Sequence, residues 1–234
     1  MLRNLWRMRR IAPVALALVL GAGCGSGAER SADGPQREAS RTVVAALGDS
    51  ITAGAPRWDP DPSVRSQISE PERRSQYGYW AQRSLPGTSF RNCGISGQTT
   101  GEIAARVNGC AKDADVLIVQ GGVNDIAQGL PIEAAARNLR AIVRRGKQLG
   151  LRVAIVELLP WSGGYPAADR PIRALNRRIA SIGRQEGVSV MQWYELLEDP
   201  RRPGRMRPGW TDDLSHPSVE GYRRLGEAVE LPPP

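Results

Sequence analysis

From residue 42 onward, short apolar runs alternate with longer amphipathic segments. Residues 42–47 (TVVAAL), 115–120 (DVLIVQ) and 152–158 (RVAIVEL) are nearly unbroken apolar stretches that end at Gly or Pro, so they predict strands buried on both faces. Residues 88–93 and 188–193 carry a weaker strand pattern. Segments 78–85, 99–107, 131–149, 169–185 and 217–230 have helical spacing. The clearest is 131–149, where Ile132, Ala135, Ala136, Leu139, Ile142 and Val143 share a face while Arg137, Arg140, Arg144 and Arg145 fall between them. Helices alternating with doubly buried strands predict an α/β fold: a three-layer α/β/α sandwich around a parallel sheet of about five strands.

In such sheets ligands bind beyond the carboxyl ends of the strands. The loops there read Gly48-Asp49-Ser50 after the first strand, Asn92-Cys93-Gly94-Ile95-Ser96-Gly97 after the second and Gly122-Val123-Asn124-Asp125 after the third. Asp213-Leu214-Ser215-His216-Pro217 follows the last. His216 is the sole histidine of the chain. Residues 55–77, rich in Pro and charge, form a long insert after the first strand, and loops of that length are usually functional or mobile. Each short motif is common by itself; the order and placement of the set are not.

Together these residues resemble the SGNH, or GDSL-type, hydrolase superfamily, whose four blocks centre on Ser, Gly, Asn and His. The resemblance covers about residues 42–230, with Ile51 standing where the GDSL name has Leu. It implies a flavodoxin-like sandwich and hydrolysis of carboxylic esters through an acyl-serine, with no cofactor and no metal. A serine hydroxyl is a weak nucleophile and needs an adjacent base, which in turn needs a group to hold its tautomer. Ser50 would attack, His216 would carry the proton, and Asp213, three residues earlier, would orient the ring. The resemblance assigns the oxyanion donors to the backbone N–H groups of Ser50 and Gly97 and to the side-chain amide of Asn124. Gly94 is the alternative to Gly97, but the GISGQTT run aligns better on Gly97. Asp49 and Asp125 are expected to brace loops, and Ser215 to cap the last helix with Pro217 in its first turn. Trp80 and Trp193, in a predicted helix and strand, are expected in the core. Trp58, Trp161 and Trp210 lie in loops on the site side; Trp161 and Trp210 are candidates for substrate binding, with plain loop packing as the alternative.

Charge and cysteine content then decide compartment and partners. Of the net +8, four charges come from Arg3, Arg7, Arg9 and Arg10, and no acid precedes Glu29, so +4 remains after residue 23. The other arginines interleave with acids along helices, without any nucleic-acid-binding motif, so no nucleic-acid partner is expected. Residues 11–23 (IAPVALALVLGAG) are too short to span a bilayer, which needs about 20 residues. Behind a basic start they read as an export signal over residues 1–23. Leu20-Gly21-Ala22-Gly23-Cys24 resembles a bacterial lipoprotein signal, which would place a lipid anchor on Cys24; secretion without an anchor is the alternative, since Gly21 stands where an aliphatic residue is usual. Residues 24–41 are a flexible linker composition and 42–231 the hydrolase domain. Gly23-Cys24-Gly25-Ser26-Gly27-Ala28 matches a dinucleotide fingerprint but lacks the strand and helix it requires. A nucleotide binder of the same layer pattern would need a P-loop, and the first strand is followed by none.

Export would put the chain outside the cytoplasm, secreted or held on the outer face of the cytoplasmic membrane, where Cys93 and Cys110 can form one disulfide; two free buried thiols are the alternative. One His and three scattered Cys offer no metal cluster. The expected partner is a small-molecule, lipid or glycan ester, met by a monomer. The alternatives are an acyltransferase or carbohydrate O-acyl esterase acting on cell-envelope glycans, and an inactive surface binding module.

Overall fold

The computed structural model describes residues 41–233, so the expected export signal, Cys24 and all but the last residue of the expected linker lie outside the described residues. In chain order the elements begin with β1 (Thr42–Gly48), α1 (Ser50–Ala53), α2 (Pro62–Arg65), α3 (Tyr77–Ser84), β2 (Thr88–Gly94), α4 (Thr100–Ala105) and α5 (Val107–Ala111). They continue with β3 (Val116–Val119), α6 (Val123–Ala127), α7 (Ile132–Gln148), β4 (Arg152–Val156), α8 (Asp169–Glu186), β5 (Ser189–Met191), α9 (Trp193–Leu197) and α10 (Val219–Glu227). The five strands form one sheet in the order β2-β1-β3-β4-β5, every neighbouring pair parallel.

The unbroken apolar runs follow from burial on both faces. Ala45, Leu47, Leu117, Val119, Val153 and Ile155 face Ile103, Val107, Leu139 and Ile179 of α4, α5, α7 and α8. The alternate residues Val44, Ala46, Val116, Ile118, Ala154 and Val156 face Tyr77, Trp193, Tyr222 and Leu225 of α3, α9 and α10. In register Gly48 lies opposite Gly94 and Leu47 opposite Val119, so β1, β2 and β3 end level. The chain reverses its direction of travel across the sheet between β1 and β3, which makes that gap the place for a site.

Several expected boundaries shift for identifiable reasons. The segment 99–107 is two helices, because Arg106 adopts φ −113° and breaks the run. Trp193 begins α9 instead of ending a strand; its buried ring meets Tyr77 edge-on at 4.9 Å and 70°. The last helix is capped by Ser218, not Ser215, and Pro217 precedes the cap instead of filling the first turn. Within the insert, α2 is capped by Asp61, and Arg57 Nε donates to Asp212 Oδ2 at 2.9 Å, tying the insert to the loop that carries His216. Among the described residues no helix is long and apolar enough to cross a membrane.

Cys93 at the end of β2 and Cys110 in α5 are joined, their Cα atoms 6.0 Å apart. The bridge closes a sequence separation of 17, so replacing both cysteines by Ser is expected to reduce stability by about 3 kcal/mol through the freer unfolded chain. A lower urea midpoint, with a slope no smaller than the parent's because the unbridged unfolded chain is more expanded, would register this; equal stabilities would mean that the bridge contributes nothing.

Candidate active site

Ser50 is the first residue of α1, held directly over the ends of β1 and β2. Asp49 caps this helix, its Oδ1 accepting the Ile51 N–H at 3.0 Å. Gln120, at the end of β3, accepts from the Asp49 N–H at 3.1 Å and from Thr52 Oγ1 at 2.9 Å. A Cβ on Gly48 would lie 2.2 Å from Thr52 Oγ1 and one on Gly94 2.0 Å from the Ala53 nitrogen, so only glycines allow α1 to sit this low. Sequence reasoning passed over Gln120; its one signal is a polar side chain closing an apolar strand.

His216 arrives from a turn built by Asp213. The Asp213 Oδ1 accepts the N–H groups of Ser215 at 2.9 Å and His216 at 2.7 Å, and Leu214, between Asp213 and Ser215, turns the chain at φ +66°. The remaining oxygen, Oδ2, lies 2.7 Å from His216 Nδ1, and His216 Nε2 lies 3.0 Å from Ser50 Oγ. An ionised carboxylate can only accept, so Nδ1 carries the proton and Nε2 turns its lone pair to the serine hydroxyl. Burial pushes the Asp213 carboxyl up, but its bonds to the His216 ring, His216 N–H and Ser215 N–H outweigh this and hold it below the usual carboxylate value. Trp161 Nε1 donates to Ser215 Oγ at 2.9 Å, and the Gly163 N–H to the Leu214 carbonyl at 2.8 Å. Ser215 therefore braces the turn, and Trp161 packs beside it with its ring partly in the core.

The other two loops converge on the same place. Asn124 Nδ2 donates to the Gln98 carbonyl at 2.9 Å, leaving its second amide hydrogen. Gly97 occupies an exposed turn at φ +80°, a conformation natural to glycine. Among the described residues, the Ser50 and Gly97 N–H groups have no protein acceptor. Asp125 accepts from the Thr100 N–H at 2.8 Å and Thr100 Oγ1 at 2.7 Å, which locks the second loop to the third. Arg106, also passed over, donates to Gly48, Cys93 and Gln98. The Trp210 ring takes the guanidinium groups of Arg207 at 4.8 Å and Arg224 at 5.3 Å and packs on the second core cluster, while Trp58 stacks with Arg65 at 4.6 Å. Both rings thus make packing contacts with arginines of their own surroundings. Among the described residues no group of three or more His, Cys, Asp or Glu is placed to hold a metal ion.

Asp49 is fully buried and its Oδ2 has no partner, and burial pushes its carboxyl up to about 6 against the pull of the Ile51 N–H. A raised folded-state value means that the folded protein binds this proton more tightly than the unfolded chain, so stability rises as pH falls through about 6 towards 4. Asp49→Asn keeps an acceptor for Ile51 and does not titrate. It is expected to be more stable than the parent by about 3 kcal/mol above pH 7, with the gap closing near pH 4. Thermal midpoints across that range check this, and a gap independent of pH would refute it.

The GDSL-like lipase/acylhydrolase family model matches residues 46–224, from β1 into α10. The fold is similar to that of a G-D-S-L family protein from Desulfitobacterium hafniense DCB-2, with 20% identity and a TM-score of 0.65 over 80% of this chain and 97% of that one. A member of the lipolytic protein G-D-S-L family from Veillonella parvula DSM 2008 has 18% identity and a TM-score of 0.64, covering 80% and 95%. A GDSL-like lipase from Bacteroides thetaiotaomicron VPI-5482 has 20% identity and a TM-score of 0.61, covering 82% and 86%. At these identities the likeness is one of fold. No curated protein matches the sequence. With the family model spanning the sheet and all four loops, the chain belongs to the GDSL-like lipase/acylhydrolase family, within the SGNH/GDSL superfamily of carboxylic ester hydrolases.

Proposed function

We propose that this chain is an exported serine esterase that cleaves carboxylic esters through an acyl-serine intermediate. The observation that carries this is the continuous line from Asp213 Oδ2 through His216 Nδ1 and Nε2 to Ser50 Oγ, at 2.7 and 3.0 Å. Ser50 Oγ attacks the ester carbonyl carbon while Nε2 takes its proton, and the imidazolium so formed sits against the Asp213 carboxylate. Negative charge on the carbonyl oxygen is met by the N–H groups of Ser50 and Gly97 and by Asn124 Nδ2. Collapse expels the alcohol, which leaves with the proton from Nε2; a water then repeats the sequence and releases the acid. The signal-like residues 1–23 support export, and the Cys93–Cys110 bridge fits an oxidising compartment.

An alkyl fluorophosphonate is expected to add once, to Ser50 Oγ, with loss of fluoride. Peptide mass mapping reads the adduct. Protein of unchanged mass after exposure, or a label on another residue, would overturn the assignment.

A further inference from the structure

We propose that Arg106 is a positioning residue that holds the Gly97 and Asn124 donors in place around the reacting carbonyl; this rests on the acyl-serine reading above. Arg106 sits half-buried between α4 and α5 and turns its guanidinium under the ends of the first two strands. Nη2 donates to the Gly48 carbonyl at 2.6 Å, Nη1 to the Cys93 carbonyl, and Nε to Gln98 Oε1 at 2.6 Å. All three acceptors are neutral. Burial depresses the basicity of this group, although the Asp49 charge opposes it, and enclosing a cation among neutral acceptors is unfavourable.

The three bonds explain why an arginine stands there. Gly48 is two residues before Ser50, and Gln98 directly follows Gly97. The Gln98 carbonyl is itself the acceptor of Asn124 Nδ2. One planar fork thus connects to all three oxyanion donors through at most two residues or one further hydrogen bond. Residues 95–97 are exposed, and among the described residues their tie to the scaffold is the Ile95 N–H on the Gly48 carbonyl at 3.1 Å. Among the described residues the guanidinium is the one hydrogen-bond partner of the Gln98 side chain, so without it only the Gln98 carbonyl remains tied, through Asn124. Donors stabilise the transition state only if already aimed, and a displacement of about 1 Å can lower the rate about 100-fold. Lysine offers a single ammonium and cannot span three acceptors set by a rigid fork.

Arg106→Ala is expected to lower kcat on p-nitrophenyl acetate about 30- to 100-fold with KM changed less than about twofold. Arg106→Lys stays low, and millimolar guanidinium restores part of kcat to Arg106→Ala. On an Asn124→Ala background the same substitution is expected to cost less than it does in the parent, since one of the two donors it serves is already gone. A kcat within about twofold of the parent, or an undiminished loss on the Asn124→Ala background together with no guanidinium response, would overturn the proposal. Should Arg106→Ala fail to fold, Gln98→Leu keeps the hold on Gly48 and Cys93 but severs the link to the turn. It is expected to lower kcat about tenfold, and an unchanged kcat would overturn the proposal. Turnover close to the parent rate in Ser50→Ala would refute the nucleophile instead; a Ser50→Ala protein reduced to its residual rate beside a fully active Arg106→Ala refutes Arg106 alone.

Discussion

Ser50→Ala and His216→Ala are each expected to lower kcat by about 10⁵- to 10⁶-fold, and the double variant to be no worse than either. The reason lies in how the two side chains share one proton transfer. Without the hydroxyl the imidazole has nothing to activate, and without the imidazole the hydroxyl keeps its proton. No second histidine exists to take over, and Asp49, the adjacent carboxyl, is buried and committed to capping α1. KM should change little and a residual rate should persist, since the oxyanion donors are untouched. Asp213→Asn is expected to lower kcat about 10⁴-fold by a different route: an amide hydrogen facing Nδ1 forces the ring proton onto Nε2, where it confronts the serine hydroxyl. The fold should survive each change: among the described residues the Ser50 and His216 side chains bond only each other and Asp213, and Asn at 213 keeps the Oδ1 acceptor that builds the turn. Steady-state kinetics on p-nitrophenyl esters, with circular dichroism alongside, decide this. Multiplying losses in the Ser50/His216 double variant would show that the two residues do not act as one unit.

How far the sequence foretold this site depends on the kind of signal each residue leaves. Val116–Val119 and the one-sided helix α7 declare themselves because burial on two faces, or on one face of a helix, imposes a period. The four loops were legible because parallel topology sends functional groups to one edge of the sheet. Arg106, Gln98 and Gln120 leave no such trace: each is a polar residue whose partners are chosen by tertiary approach across long stretches of chain. The helical pattern of 99–107 is continuous on paper, and it breaks where the Arg106 side chain turns to the strand ends. Ser215 and Ser218 are equally good caps by composition. Only the Asp213 turn, which hands Ser215 Oγ to Trp161, leaves the task to Ser218. Trp193 has a strand former's shape, yet the buried space beside Tyr77 draws it into a helix.

Gly94→Ala is expected to be the most damaging change of a single methyl group in this chain. The new Cβ would lie 2.0 Å from the Ala53 nitrogen, 2.5 Å from its Cα and 2.6 Å from the Thr52 carbonyl carbon. These are backbone atoms, so no rotamer relieves the overlap; either β2 parts from β1 or α1 lifts. Lifting α1 strains the Ala53 N–H bond to the Asp49 carbonyl, now 2.9 Å, and carries Ser50 away from His216. A loss of at least about 3 kcal/mol is therefore expected, with kcat in the remaining folded protein reduced about 100-fold by misplacement of the nucleophile. Gly109→Ala supplies the contrast: its Cβ meets nothing within 4 Å at an exposed position of α5, and helix propensity favours alanine by about 1 kcal/mol. Gly97→Ala falls between them, since its Cβ also has open space but its φ of +80° disfavours any side chain. Chemical denaturation of the three variants separates crowding from backbone strain. A Gly94→Ala protein as stable as the parent would show that α1 does not depend on its close seat over the strand ends, and the placement of Ser50 would need another cause.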